Sequence, residues 1–150
     1  MTSSHVLVPL DGSPLADEAL KHALAVFDCR MTVLNVVTPL DSTMSEGGVL
    51  EPDKKRLMDA REQANRRIER ASTSIEHAGT RTDSDGRTVE TAVETGNPAK
   101  TILRYVESHD VDHVVMGGHG GETGHLTKRL LGAVSTVVVS EAPVSVTVVR

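Results

Sequence analysis

A chain of 150 residues with a formal charge of −5 and one cysteine is long enough to enclose a real core within one domain, and it has no internal disulfide framework. With Phe27 and Tyr105 as its only Phe and Tyr, no Trp and no concentrated basic patch, it offers no platform for stacking nucleobases, which argues against nucleic-acid binding. The opening MTSSHVLVPL is not a secretory signal, no apolar run approaches the ~20 residues of a membrane span, and a lone Cys29 suits a reducing compartment, so a cytoplasmic protein without membrane attachment is expected.

The short apolar run His5–Leu10 predicts a buried strand ending at Asp11. Ser13 and Pro14 then supply an N-cap and a first helical residue, and Ala16, Ala19, Leu20, Ala23, Leu24 and Phe27 recur at helical spacing, so Pro14–Phe27 reads as an amphipathic helix. Met31–Val37 is short and β-branched, hence a second buried strand. Thr38–Glu51, with Pro39, Gly47 and Gly48, reads as a mobile connector. Leu57, Ala60, Ala64, Ile68, Ala71 and Ile75 mark a long second helix. Arg87–Glu94 alternates apolar and polar residues and predicts a third strand near a sheet edge. Gly96-Asn97-Pro98 is a turn, after which Ile102, Leu103 and Val106 line a third helix. Val111–Met116 is the fourth strand. A fourth helix is expected from about His125 to Ser140, although the β-branched cluster Val137–Val139 speaks against it. Val144–Val149 closes the series as the last strand. Alternating strands and helices predict one α/β domain over residues 1–150, a parallel sheet covered on both faces.

The stretch Met116–Val134, MGGHGGETGHLTKRLLGAV, is dense in glycine directly after a strand and leads toward a helix. Missing Cβ atoms permit close backbone approach, and a helix start aims unpaired N–H groups the same way, which together suit an anion such as a nucleotide phosphate. The plainer alternative is a flexible surface loop. In a doubly wound sheet, ligands sit beyond the carboxyl ends of the strands where the strand order reverses. Pro9-Leu10-Asp11-Gly12-Ser13 and Gly117–Gly124 both follow strands, and they form one site if those strands are neighbours.

The segments VLVPLDGSPLADEALKHAL at 6–24, LNVV at 34–37, ETGNPAKTIL at 94–103, VDHVVMGGHG at 111–120, LLGAV at 130–134 and APVSVTVV at 142–149 occur in order and at fitting separations. On these the chain resembles the universal stress protein family over essentially its full length. The resemblance implies a single five-stranded sheet in the order 3-2-1-4-5, with the first and fourth strands adjacent. It implies a stress-response regulator that binds ATP and at most hydrolyses it slowly. The residues carried over are Pro9 and Asp11 beside the nucleoside, Val36 against adenine, and Met116, Gly117, His119, Gly120, Gly132, Ala133 and Val134 around the phosphates. Any Mg2+ would be held by the phosphates rather than by a protein cage.

The chain departs from the family's ATP signature, which runs Gly, two residues, Gly, nine residues, Gly, then Ser or Thr. Eleven residues, 121–131, separate Gly120 from Gly132, and the last position is Ala133, which has no hydroxyl. Thr123, Thr127 or Ser135 are candidates to replace it. Loop length and Ala133 favour an alternative, a nucleotide-free dimeric interaction module; Asp11, Val36, Gly117, Gly120 and Gly132 favour ATP. The resemblance also implies a homodimer through the last strand. Physics agrees, because Val144–Val149 would be an edge strand with no proline or inward charge, guarded only by Arg150.

Other chemistry is poorly supplied. His109, Asp110, Asp112, His113, His119 and His125 lack the tight helical spacing of a zinc site, so no metal site is expected. His109 and His113 are expected to face solvent or neighbouring loops. Ser13 reads as a cap rather than a nucleophile, and the two-glycine, Lys, Ser/Thr pattern of a phosphate-binding loop is absent.

Overall fold

Apolar β-branched runs bounded by polar or glycine residues become the strands, and the 3.6-residue repeats between them become the helices. In the computed structural model, residues 4–11, 14–37, 51–77, 89–118 and 132–150 are described, with side chains in the long middle segment for 54–70. Chain order is β1 (His5–Leu10), α1 (Pro14–Val26), β2 (Arg30–Val37), α2 (Glu51–His77), β3 (Val89–Thr95), α3 (Pro98–Ser108), β4 (His113–Gly117), α4 (Ala133–Glu141) and β5 (Ser145–Val149). The strands form one all-parallel sheet in the order β3-β2-β1-β4-β5, as the resemblance implied.

Alternation along the strands divides the core in two. Val6, Val8, Leu10, Met31, Val33 and Val115 face α1 and Ala64 of α2, whereas Leu7, Leu34, Val114 and Met116 meet Ile102, Tyr105 and Val106 of α3 and Val138 of α4. Each large aliphatic side chain removed from water in these layers contributes about 1.5–3 kcal/mol. Helices on both faces, with a crossover to each side of β1, create the point where strand order reverses.

Local chemistry explains most boundaries. Pro14 is the first helical residue of α1. Asn97 caps α3, its side chain accepting from the Lys100 N–H at 3.1 Å. That helix stops at His109 because Asp110 turns left-handed with φ 52°, a conformation a short polar residue tolerates.

Some predicted boundaries shift. Glu51 is already helical, so the expected connector ends before it; its residues 38–50, like Ser13, lie outside the described residues. Val111 and Asp112 precede β4 rather than opening it. Gly132 is extended (φ −71°, ψ 171°), so α4 begins at Ala133, and residues 125–131 of the expected helix lie outside the described residues. The Val137–Val139 cluster is helical after all: Val138 is fully buried between α3 and the sheet, and this packing outweighs a few tenths of a kcal/mol of β-branched reluctance.

Candidate functional site

The carboxyl edge of the sheet is set by register. Leu10 pairs with Asn35 across β1 and β2, so Asp11 follows level with Val36. On the other side Val6 pairs with His113 and Leu7 with Val114, and the same register carried three residues further sets Leu10 level with Gly117. Asp11, just past β1, Val36, the last residue but one of β2, and Gly117, the last of β4, therefore lie at one edge of three neighbouring strands. Asp11 is exposed and Val36 half-buried.

Backbone contacts hold the β4 end. A Cβ on Gly117 would stand 2.9 Å from the Leu15 carbonyl carbon and 3.0 Å from the Ala16 nitrogen. Glycine is thus what lets the first turn of α1 rest on β4, a packing role beyond any phosphate cradle. The Gly118 N–H donates to the Val149 carbonyl at 2.8 Å, and the Gly118 carbonyl accepts from the Gly132 N–H at 2.6 Å and from the buried Ser135 hydroxyl. These bonds bring the start of α4 against the ends of β4 and β5. The first N–H groups of α4 have no acceptor within the helix, so its opening turn presents donors there.

A model of the Universal stress protein family matches residues 2–150. The chain belongs to this family. A universal stress protein of Methanothermobacter thermautotrophicus is 30% identical over 147 residues, covering 97% of this chain and 94% of its own. The solved structure of universal stress protein UspA from Lactobacillus plantarum superposes with a TM-score of 0.70 at 27% identity, over 100% of this chain and 99% of that one. A universal stress protein solved in complex with cAMP shares the fold, with a TM-score of 0.67 at 19% identity over 100% and 99% of the two chains.

Against the family's pattern, the individual residues divide. Pro9 lies within β1 and is half-buried. Met116 is only 5% exposed, its side chain packed under α3 and α4, so it offers the edge its backbone alone. Gly132 caps α4, Ala133 is exposed in its first turn, and Val134 packs partly into the core. His119 and Gly120 lie outside the described residues, as do Thr123 and Thr127. Ser135 does not supply the missing hydroxyl. It is buried, and its proton goes to the Gly118 carbonyl. This role and that of Gly118 were missed from sequence, since a serine three residues after a glycine cap looks like any first-turn polar residue.

At the opposite, amino edge, a polar network joins β1 and β2 to the end of α3 and the turn before β4. His5 is 3% exposed. Its Nδ1 lies 3.0 Å from the His109 carbonyl and its Nε2 2.8 Å from Thr32 Oγ1. A carbonyl only accepts, so Nδ1 carries the proton and Nε2 of the neutral ring accepts from Thr32. Thr32 is in turn hydrogen-bonded to Tyr105, whose hydroxyl pKa is raised by burial. Burial holds the His5 pKa below the ordinary 6.5, despite the favourable bond to His109. The Ser4 N–H and hydroxyl each donate to Asp112 Oδ2 at 2.6 Å; burial would raise the Asp112 pKa, but these bonds bring it below its ordinary value.

Of the two histidines expected to face solvent or neighbouring loops, His109 is indeed exposed, its ring stacked on Tyr105 with centroids 3.8 Å apart. His113 is half-buried, bonded to Thr147 Oγ1 at 2.8 Å and tilted against Phe27 at 4.7 Å, with burial lowering its pKa. Among the described residues no group of three or more His, Cys, Asp or Glu could hold a metal ion, and no helix is long and apolar enough to cross a membrane.

Proposed function

We propose that this universal stress protein is a cytoplasmic regulator that binds ATP across the carboxyl ends of β1 and β4. The observation that carries the reading is the register placing Asp11, Val36 and Gly117 at one sheet edge, beside the opening turn of α4. Asp11 binds the nucleoside, with Pro9 beside it, and Val36 packs on adenine. The phosphates lie along Met116, Gly117, His119, Gly120, Gly132, Ala133 and Val134, with Mg2+ on the phosphates. The cAMP complex of a family member with the same fold supports a nucleotide as the ligand class. Occupancy changes assembly or partner choice, and turnover of ATP is slow or nil.

The main-chain donors fit a phosphate chain, but Ala133 withholds one hydroxyl. A lost bond to a charged group is worth about 1.5–3 kcal/mol, or roughly ten- to a hundred-fold in affinity. This weakens a micromolar site without abolishing it. Assembly is proposed through β5, an edge strand in the observed order, pairing Val144–Val149 with its copy about a twofold axis.

The test is mass spectrometry of small molecules released from protein purified without added nucleotide, with calorimetric titration of ATP. A bound adenine nucleotide and a tighter ATP isotherm for Ala133→Ser are expected. No released nucleotide, and no ATP heat for the wild type or the serine variant, would establish instead the nucleotide-free interaction module. Ala133 and the commitment of Ser135 to Gly118 favour that second reading.

A further inference from the structure

We propose that Ser135 is a positioning residue that latches the first turn of α4 to the end of β4, so that the length of the connection from Gly118 to Gly132 does not decide where that turn sits. The consequence for ATP rests on the nucleotide reading above; the latch itself does not.

Two carbonyls lie near the Ser135 hydroxyl, which has one proton to give. The Gly132 carbonyl, 3.1 Å away, already accepts the Thr136 N–H at 3.0 Å and the Thr136 hydroxyl at 2.8 Å. The Gly118 carbonyl has two lone pairs and two donors, Ser135 O–H and Gly132 N–H. Gly118 is anchored in turn, through its own N–H, to Val149 of β5. Its missing Cβ matters, since one would lie 3.3 Å from both Val148 Cγ1 and the Val149 carbonyl. β4, β5 and α4 thus converge on one residue, Gly118, and among the described residues Ser135 is the side chain bonded to it.

The two ends of the connection, Gly118 and Gly132, are bonded directly to each other. Residues added between them change the excursion and leave its ends in place, and the closure entropy of a loop grows only slowly with its length. The two residues by which this chain exceeds the family spacing therefore do not misplace Ala133 and Val134. What would misplace them is loss of the latch.

The experiment compares wild type, Ser135→Ala, Ser135→Cys and a variant lacking Gly121 and Glu122. It reads amide hydrogen exchange without nucleotide, then ATP titration. In Ser135→Ala, exchange at Gly132 is expected to speed up about tenfold or more, with the amides of β1 unchanged as a control for global unfolding. Ser135→Cys, a weaker donor of similar size, should fall between, and it serves if the alanine variant does not fold. The shortened variant should keep Gly132 protected and shift ATP affinity less than about threefold, whereas Ser135→Ala should lose about tenfold. Unchanged Gly132 protection in both serine variants, or a tenfold loss of protection on shortening, would overturn the latch. Absence of any ATP heat in the wild type would refute the nucleotide reading alone, because the exchange measurements still decide the latch.

Discussion

Replacing Gly117 by alanine asks whether the first turn of α1 rests on β4 as closely as the geometry states. The added methyl would meet the Leu15 carbonyl carbon at 2.9 Å, and the Ala16 nitrogen and Leu15 Cβ at 3.0 Å. Ordinary carbon contacts lie at about 3.5–4.0 Å, so the turn must retreat by roughly 0.5–1 Å. Two of these neighbours are backbone and cannot swing aside, and overpacking of this kind costs about 1–3 kcal/mol. Gly117 has no positive φ, so alanine also restricts the unfolded chain and offsets about 0.4–1 kcal/mol. With backbone contacts at 2.9 and 3.0 Å the overpacking cost falls in the upper part of its range, about 2–3 kcal/mol, so the net loss is about 1–2.5 kcal/mol, or about 2–10 °C in Tm for a chain of this size. Urea unfolding followed by circular dichroism gives the first number and a thermal scan the second. Gly118→Ala is the control, because its contacts begin at 3.3 Å and it should lose less. A Gly117→Ala protein as stable as wild type, or more stable than Gly118→Ala, would refute the close approach of α1.

Three further outcomes follow from the same structure. Stability should fall as pH drops below 6.5, because His5 and His113 have lowered pKa values and the unfolded chain therefore takes up protons that the folded chain refuses. Asp112, also lowered, adds a further loss below its ordinary 3.8, and a Tm that is flat from pH 8 to 5 would contradict the histidine part. Leu34→Ala, at a fully buried site, should cost about 2–5 kcal/mol in urea unfolding, whereas Val137→Ser on the exposed side of α4 should stay within about 0.5 kcal/mol; equal effects would contradict the packing. Light scattering should show a dimer for the wild type and a monomer for Val146→Lys, Val148→Lys, and a wild type that is monomeric at high micromolar concentration would refute pairing through β5.

Most of the fold was legible because periodicity reports burial directly. Val6, Val8 and Leu10 alternate with Leu7 along β1 because each set faces a different helical layer. Where prediction slipped, tertiary contact outweighed local preference. Val137–Val139 looked strand-like, yet Val138 earns its helical place by burial. His5 reads in the sequence only as the first residue of a buried strand, and no pattern pairs it with Thr32 and His109, residues 27 and 104 positions away. The edge carrying Asp11, Val36 and Gly117 was legible once strand order was supplied. The jobs of its small residues were not, because a glycine that admits a ligand and one that admits a helix are written the same way.

The two edges of the sheet are built from different materials, and this bears on how one fold tolerates change. At the amino edge, Ser4, His5, Thr32, Tyr105, His109 and Asp112 are tied together by side-chain bonds reaching β1, β2 and the turn before β4. Each of these bonds uses at least one particular side chain, and at the buried His5–Thr32 pair removing one partner leaves the other unsatisfied at about 1–3 kcal/mol. At the carboxyl edge the described contacts between elements are backbone to backbone, Gly118 with Val149 and Gly132 with Gly118, joined by the Ser135 side chain on Gly118. Backbone bonds do not depend on residue type beyond room for the chain to approach. Register is therefore locked at one edge by specific side chains, while the other edge accepts altered connections without moving the strand ends. On this division of labour, a connection two residues longer than the family spacing leaves Asp11, Val36 and Gly117 side by side.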